Sequence, residues 1–212
     1  MLSAVESSSL LELIKDLRCP IVMLNRLIHS ADIDSVVMDN YQVGFMATNL
    51  LIENGHTRIF HLAGPKTSSA SNDRLRGYLD AMYMADLKTD KNSFTYCDLS
   101  YEKSNQFAKE FCRSKREFSA VFSSNDSMSL GFLDGIIEEG FRCPEDISII
   151  SADNSYDVIR GKVKLTTIGY DNETMGGVAA KLLLERLDNP KGIKKKISYM
   201  PIIIMRDSIR KM

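Results

Sequence analysis

Residues 119–154, SAVFSSNDSMSLGFLDGIIEEGFRCPEDISIISADN, read as strand, helix, strand, and this unit constrains the fold more than any other stretch. Ala120, Val121 and Phe122 form a short apolar run, and Ser123 to Asp126 supply helix-capping chemistry. Met128, Leu130, Leu133, Ile136 and Ile137 then recur mostly on one helical face. Gly140 stops the helix, and Pro144 follows the stop. Ile147 to Ile150 is a second apolar strand that runs into Asp153 and Asn154. Parallel strands joined by one helix cross over right-handedly, so Asn125, Asp126 and Asp153 emerge at the same sheet edge. Ligands of open parallel sheets bind beyond the carboxyl ends of the strands, which makes this edge a ligand mouth.

The rest of the chain repeats the alternation. A short amphipathic helix is expected over 10–17, a buried strand over 21–24 and a second strand over 33–38. Asp39 to Gln42 has a capping-box pattern and opens a helix that runs to Glu53, with Gly55 as its stop. A strand over 58–63, a polar loop over 66–72 and a helix over 73–85 follow. Further on lie a weak strand at 94–97, a helix at 101–112 bearing Phe107, Ala108 and Phe111, and an extended segment at 163–168. A long helix over 173–187 carries Val178, Leu182, Leu183 and Leu187 inward, and 197–205 forms a final β-branched strand. The pattern is α/β with parallel sheet. A helix and a lone strand at the start leave an unpaired edge, from which N-terminal material is expected to be missing.

Composition removes several classes of function. A formal net charge of -1 provides no concentrated positive field for a nucleic-acid groove. The lysine-rich run over 191–196 reads as a solvated linker. Cys19, Cys97, Cys112 and Cys143 form no C-x-x-C pair and stand at no ligand spacing to the three histidines, so neither zinc nor another cofactor is implied. Free thiols and a cytoplasmic location are expected. The first residues have no basic n-region, and no stretch reaches the roughly 18–20 apolar residues of a membrane span.

Several motifs, taken in order, resemble the effector-binding domain of the LacI/GalR family of bacterial transcription regulators. PIVMLNR at 20–26 is similar to that family's P-V-V-x-[ILV]-D-R strand, with Asn25 in place of the usual Asp. NGHTRI at 54–59 resembles L-G-H-x-x-I, AGP at 63–65 resembles G-G-P, and RLRGY at 74–78 matches R-x-x-G-[FYW]. AVFSSND at 120–126, PEDISII at 144–150 and LTTI at 165–168 match A-[IV]-x-x-x-N-D, P-x-D-[IV]-S-[IV]-[IV] and L-T-T-[IV]. The order and spacing carry the resemblance; single motifs are weak.

The resemblance implies a type I periplasmic-binding-protein-like fold: two Rossmann-like parallel-sheet lobes, three crossovers and a small effector in the cleft. One lobe, incomplete here, would hold 1–37 and 170–199; the other would hold 38–169 and 200–212. It implies a homodimer, a sugar, sugar phosphate or purine as effector, and operator binding only through an N-terminal helix-turn-helix that this chain lacks. Dimer contacts are expected from faces around 79–83, 131–137 and 174–187, or else those faces meet the sheet.

Arg74 is the leading ligand candidate, since a guanidinium near a helix start donates bidentately to hydroxyls or a carboxylate. Its bland alternative is a surface arginine paired with Asp73 or Asp80. Asn125 is a ligand contact by resemblance and a helix N-cap by local chemistry. Asp126 reads as structural, accepting from backbone amides at the helix start. Asp153 is either a hydroxyl acceptor or a turn aspartate. Asn25 keeps one acceptor and gains a donor, or is a satisfied loop amide. Leu99 stands where sugar-binding relatives place a stacking aromatic, so it offers apolar contact without a flat ring; Phe94, Tyr96 and Tyr101 could compensate but read as core. His56 suits a protonated helix cap, and His61 lies within a strand; neither has a nucleophile at recognisable spacing. A ligand-sensing regulatory domain is the favoured reading, a free-standing periplasmic-type solute-binding protein is the alternative, and an α/β enzyme lacks any phosphate loop or nucleophile–base pair.

Overall fold

A computed structural model describes residues 8–212 apart from 26, 29, 115 and 116. Residues 1–7 and the Arg26 end of the first motif lie outside the described residues. In chain order the elements are α1 (Ser8–Asp16), β1 (Val22–Leu24), β2 (Asp34–Met38), α2 (Asn40–Glu53), β3 (Ile59–Ala63), α3 (Ser69–Met84), β4 (Phe94–Tyr96) and α4 (Tyr101–Arg113). They continue as β5 (Ala120–Ser123), α5 (Asp126–Glu138), β6 (Ser148–Ala152), a 3-10 turn at Tyr156–Ile159, β7 (Thr166–Gly169), α6 (Asn172–Asp188), β8 (Lys196–Tyr199) and β9 (Ile202–Ile204).

The chain divides into two units, Met1–Asp39 with Tyr170–Met200, and Asn40–Gly169 with Pro201–Met212. It passes from one to the other after Asp39, Gly169 and Met200. The smaller unit has a three-stranded parallel sheet ordered β1-β2-β8. Val36, Met175 and Leu182 form its small buried core, joined by Val178 and Ile197. β1 is not the buried strand expected: Leu24 is 45% exposed at the sheet edge. Leu187, expected inward, is exposed, because Arg186 takes the buried position beside it.

The larger unit has a six-stranded sheet ordered β4-β3-β5-β6-β7-β9, parallel except for the antiparallel β7–β9 pair. Alternate residues on a strand face opposite ways. Phe60, Leu62, Val121 and Ile149 therefore share one face, packed with Phe111, Phe132 and Ile136 of α4 and α5. On the other face His61 stacks on Phe122 and on Tyr78 of α3, and the Tyr78 hydroxyl donates to the Ile59 carbonyl at 2.9 Å. The stretch over 131–137 accordingly meets α4 and the sheet, with only Ile137 substantially exposed among its large apolar residues.

Glycines set the α2–α3 approach. A Cβ on Gly44 would lie 1.9 Å from the Arg74 carbonyl oxygen, and one on Gly77 would lie 2.2 Å from the Tyr41 carbonyl oxygen. The glycine of the RLRGY motif thus lets α3 sit against α2 at the height of Arg74.

Three boundaries differ from the sequence expectation. α3 starts at Ser69, because the Ser68 hydroxyl accepts from the Ser71 amide and caps it four residues early. The last apolar run splits into β8 and β9, one per sheet, at Met200 and Pro201, where proline removes a ladder donor. The 163–168 segment is strand only from Thr166. Gly55 ends α2 with φ +89°, the left-handed conformation that favours glycine.

Candidate functional site

The carboxyl ends of β3, β5 and β6 in the larger unit assemble the site. Arg74 is buried, and its donors go inward rather than to Asp73 or Asp80. Nε donates to Asn40 Oδ1 at 2.9 Å, Nη1 donates to the Ser124 carbonyl, and Nη2 meets Asp153 Oδ1 at 2.8 Å. The surface pairing that was the alternative for Arg74 is instead made by Arg76 with Asp73, while Asp80 accepts from the Tyr41 hydroxyl. One pair is local in sequence; the Arg74–Asp153 pair closes across 79 residues.

Asp153 is 36% exposed at its side chain, and its Oδ2 takes no hydrogen bond from any described residue. Its backbone has φ +100°, and Asn154 follows at φ +56°. Left-handed backbone at non-glycine residues is held only where surrounding contacts determine it, and such residues cluster at ligand sites. Three groups hold this turn. The Asp153 amide donates to the Ile168 carbonyl at 2.9 Å, Arg206 Nη2 donates to Asn154 Oδ1 at 2.6 Å, and the Ser155 amide donates to Asp126 Oδ2. Gly169 leaves room for Asn154, since a Cβ there would come within 2.5 Å of the Asn154 Cβ.

Asn125 fills the capping role. Its Oδ1 accepts from the Met128 amide at 2.8 Å as the α5 N-cap, while Nδ2 donates to no described residue. Asn125, Asp126, Ser127, Asp153 and Ser155, with Tyr101, line a cleft of about 440 Å³. Tyr101 is therefore not core: it is 37% exposed, donates to Asp134, and that bond first, with burial second, pushes its hydroxyl up to about 12.

Asp126 is structural in a way the sequence did not suggest. It takes no amide of its own helix; it accepts from Ser151 Oγ of β6, from Thr167 Oγ1 of β7 at 3.4 Å, and from Ser155. Burial raises its pKa, the Ser151 and Ser155 bonds partly offset this, and the neighbouring Asp153 charge raises it again. Ser129 Oγ lies 2.7 Å from both the Asn125 carbonyl and Ser151 Oγ, joining the cap to this network.

Leu99 lies past β4 with φ +68°, packs partly buried against the α4–α5 core, and would contact any side chain at Gly64 at 2.7 Å. Asn25 follows β1 in the smaller unit with φ +54°, its amide donating to the Val36 carbonyl at 2.8 Å. Phe94 and Tyr96 are half-buried on β4, ring edge to ring face. The structure brings Arg74, Asn125 and Asp153 to one edge, with Leu99 in the same unit. Sequence reasoning missed Asn40, Ser124, Ser151, Ser155 and Thr167. Asn40 and Ser124 had one usable signal, since each follows the end of a strand.

His56 and His61 are structural. His61 is fully buried, its Nδ1 lies 3.0 Å from the Phe122 carbonyl, and burial lowers its pKa to about 3. His56 is not a protonated cap. The Gly55 and His56 amides close α2, donating to the Ile52 and Leu51 carbonyls. The ring lies 2.9 Å from Ser119 Oγ and 3.2 Å from the Arg210 carbonyl, and burial lowers its pKa. Among the described residues no group of three or more His, Cys, Asp or Glu could hold a metal ion, and no helix is long and apolar enough to cross a membrane. All four cysteines are free thiols.

Comparison with known proteins agrees with this architecture. Residues 48–209 match the periplasmic binding protein-like domain. A Vibrio campbellii HTH-type transcriptional repressor, PurR, is 30% identical over 183 residues, which are 86% of this chain and 55% of that protein. The chain thus spans about half the length of that relative. The structure of the transcriptional regulator CelR in complex with cellobiose superimposes with a TM-score of 0.90 at 28% identity, covering 98% of this chain and 64% of CelR. A LacI family transcriptional regulator from Enterococcus faecium with bound ribose gives 0.88 at 27% identity, covering 99% and 78%.

Proposed function

Because the chain belongs to the periplasmic binding protein-like domain family, in the form carried by LacI-type transcription regulators, we propose that it senses a sugar or sugar-like effector for such a regulator. The single observation behind this reading is the Arg74–Asp153 pair: a buried guanidinium fixing one oxygen of a carboxylate whose other oxygen has no described partner. Asp153 Oδ2 accepts from a ligand hydroxyl, Asn125 Nδ2 donates to its neighbour, and Arg74 holds the carboxylate in place. A saccharide presents that alternation of donor and acceptor on adjacent carbons. Two structural relatives hold cellobiose and ribose, and the repressor relative favours sensing over solute carriage.

The effector acts by binding one conformation of the domain better than another, because a ligand with equal affinity for both shifts nothing. Operator contact belongs to a region outside this chain, working through a homodimer. Arg74, Asn125, Asp153 and Leu99 are the effector contacts that the larger unit offers, and Asn25 is the smaller unit's own candidate. Thermal unfolding against monosaccharides, disaccharides, sugar phosphates and purines tests this. A binder at a hundredfold its Kd adds about 2.7 kcal/mol of stability. The expected result is a shift with at least one saccharide that Arg74→Ala and Asp153→Asn remove. A response only to ligands without hydroxyls, or one that survives both substitutions, contradicts the reading.

A further inference from the structure

We propose that Asp126 is a positioning residue that locks the Asp153–Ser155 turn, so that effector affinity depends on it without contact between Asp126 and the effector. The inference rests on the sensing role proposed above for Asp153, but its core is a statement about the turn and can be tested without a ligand.

Asp153 and Asn154 occupy consecutive left-handed conformations, and neither is glycine. Such a turn persists only if its neighbours fix it. Its entry is fixed by backbone, through the Asp153 amide on the Ile168 carbonyl. Its middle is held by Arg206 on Asn154, and the same guanidinium donates to the Leu165 carbonyl at 2.6 Å. Among the described residues its exit is fixed by Asp126, which accepts the Ser155 amide. Asp126 is itself rigid. It is 3% exposed on the first turn of α5, and its other oxygen is held by Ser151 of β6 and Thr167 of β7.

Burying a carboxylate that makes no ion pair is costly. The two arginines bonded to the turn are committed elsewhere: Arg74 to Asp153, and Arg206 to Asn154 and the Leu165 carbonyl. Capping does not account for the burial either, because Asn125 already caps α5. What Asp126 does make are three bonds that tie α5, β6, β7 and the Asp153 turn into one unit, with Asn125 one residue away. A carboxylate oxygen suits this task because both oxygens are acceptors and all three partners donate. Asparagine can do most of it: its oxygen accepts from Ser155, and its amide donates to Ser151, whose hydroxyl can also accept. Alanine can do none.

The test compares Asp126→Ala, Asp126→Asn, Asp153→Asn and the double variant D126A/D153N. Hydrogen exchange is read over residues 153–157, and binding is titrated with ribose and cellobiose. The expected result is faster exchange confined to 153–157 in Asp126→Ala, near-native exchange in Asp126→Asn, and about tenfold or greater loss of sugar affinity in Asp126→Ala but not in Asp126→Asn. Because Asp126 acts through Asp153, adding Asp126→Ala to Asp153→Asn costs less than about twofold more, whereas independent roles would multiply. Native exchange at 153–157 in Asp126→Ala overturns the proposal. So does a fully multiplicative loss in the double variant, which would make Asp126 a direct contact. If neither sugar binds the unaltered protein, the sugar reading fails, and exchange alone decides the role of Asp126.

Discussion

Each unit of the molecule buries one arginine against one aspartate, and the two pairs differ in what they leave unused. In the smaller unit Arg186 meets both oxygens of Asp34, Nε to Oδ2 at 2.7 Å and Nη2 to Oδ1 at 3.0 Å. Its remaining donors reach the carbonyls of Asn189, Gly192 and Ile193, and the Lys195 amide adds a bond to Asp34 Oδ1. Asp34 is fully buried. In the larger unit Arg74 spends three donors, and Asp153 keeps a third of its surface and an oxygen with no partner among the described residues. A saturated pair stitches α6 to β2 and to the loop before β8. An unsaturated pair at a strand end has capacity left for a ligand.

Substitutions can break this contrast. The largest effect on folding is expected at the saturated pair. Asp34→Ala strands a buried guanidinium and should lower unfolding free energy by roughly 3–5 kcal/mol, read by urea unfolding, with sugar affinity in the surviving folded protein unchanged. Arg74→Ala should act the other way, reducing sugar affinity about thirtyfold or more, equivalent to ~2 kcal/mol, as expected for loss of charge-assisted bonds. If Asp34→Ala and Arg74→Ala cost the same in both assays, saturation does not separate structural from functional pairs.

Smaller effects sharpen the comparison. Gly77→Ala places a Cβ against the Tyr41 carbonyl, so it should cost roughly 1–3 kcal/mol of stability and weaken sugar binding by moving Arg74 off Asn40. Acid should separate the pairs next. His61 titrates near 6.5 when unfolded and about 3 when folded, because burial favours its neutral form. The unfolded chain therefore binds the proton first, and stability is lost as pH falls below 6.5, about 2 kcal/mol by pH 5 from this group. His56 is shifted in the same direction. Asp34 is raised by burial but lowered further by its bonds to Arg186 and Lys195, for a net lowering. Its stabilisation is present above 3.8 and disappears only as pH falls below that. Unfolding followed from pH 7 to pH 3 should show the histidine loss first, and His61→Gln should remove much of it. The smallest effect is at Asn125→Ala, about 1 kcal/mol of stability for the lost cap, with a separate loss of sugar affinity.

These pairs also show what the sequence could and could not reveal. The strand–helix alternation, Gly55 and the 120–154 unit were legible because apolar period and capping are local signals. Arg74 and Asp153 were legible individually, by resemblance, but their bond was not: Asp73 and Asp80 offered closer partners in sequence. Ser151 and Thr167 looked like ordinary strand residues, since nothing local marks a hydroxyl that serves a carboxylate two elements away. Arg186 was missed for the same reason, and Leu187 was placed inward because helical period alone cannot foresee an arginine drawn into the core by Asp34. Tyr101 was assigned to the core on aromatic character, yet its hydroxyl is held outward by Asp134.

The most direct measurement is a paired thermal unfolding and calorimetric titration of Asp153→Asn with the saccharide that best stabilises the unaltered protein. Asparagine tolerates the left-handed backbone and can still accept from Arg74, but it replaces one carboxylate oxygen by a donor. The expected result is a Tm within a few degrees of the unaltered protein and the loss of the saccharide's effect. A large fall in Tm with binding retained would make this pair structural, like Asp34 and Arg186, and would contradict the central claim.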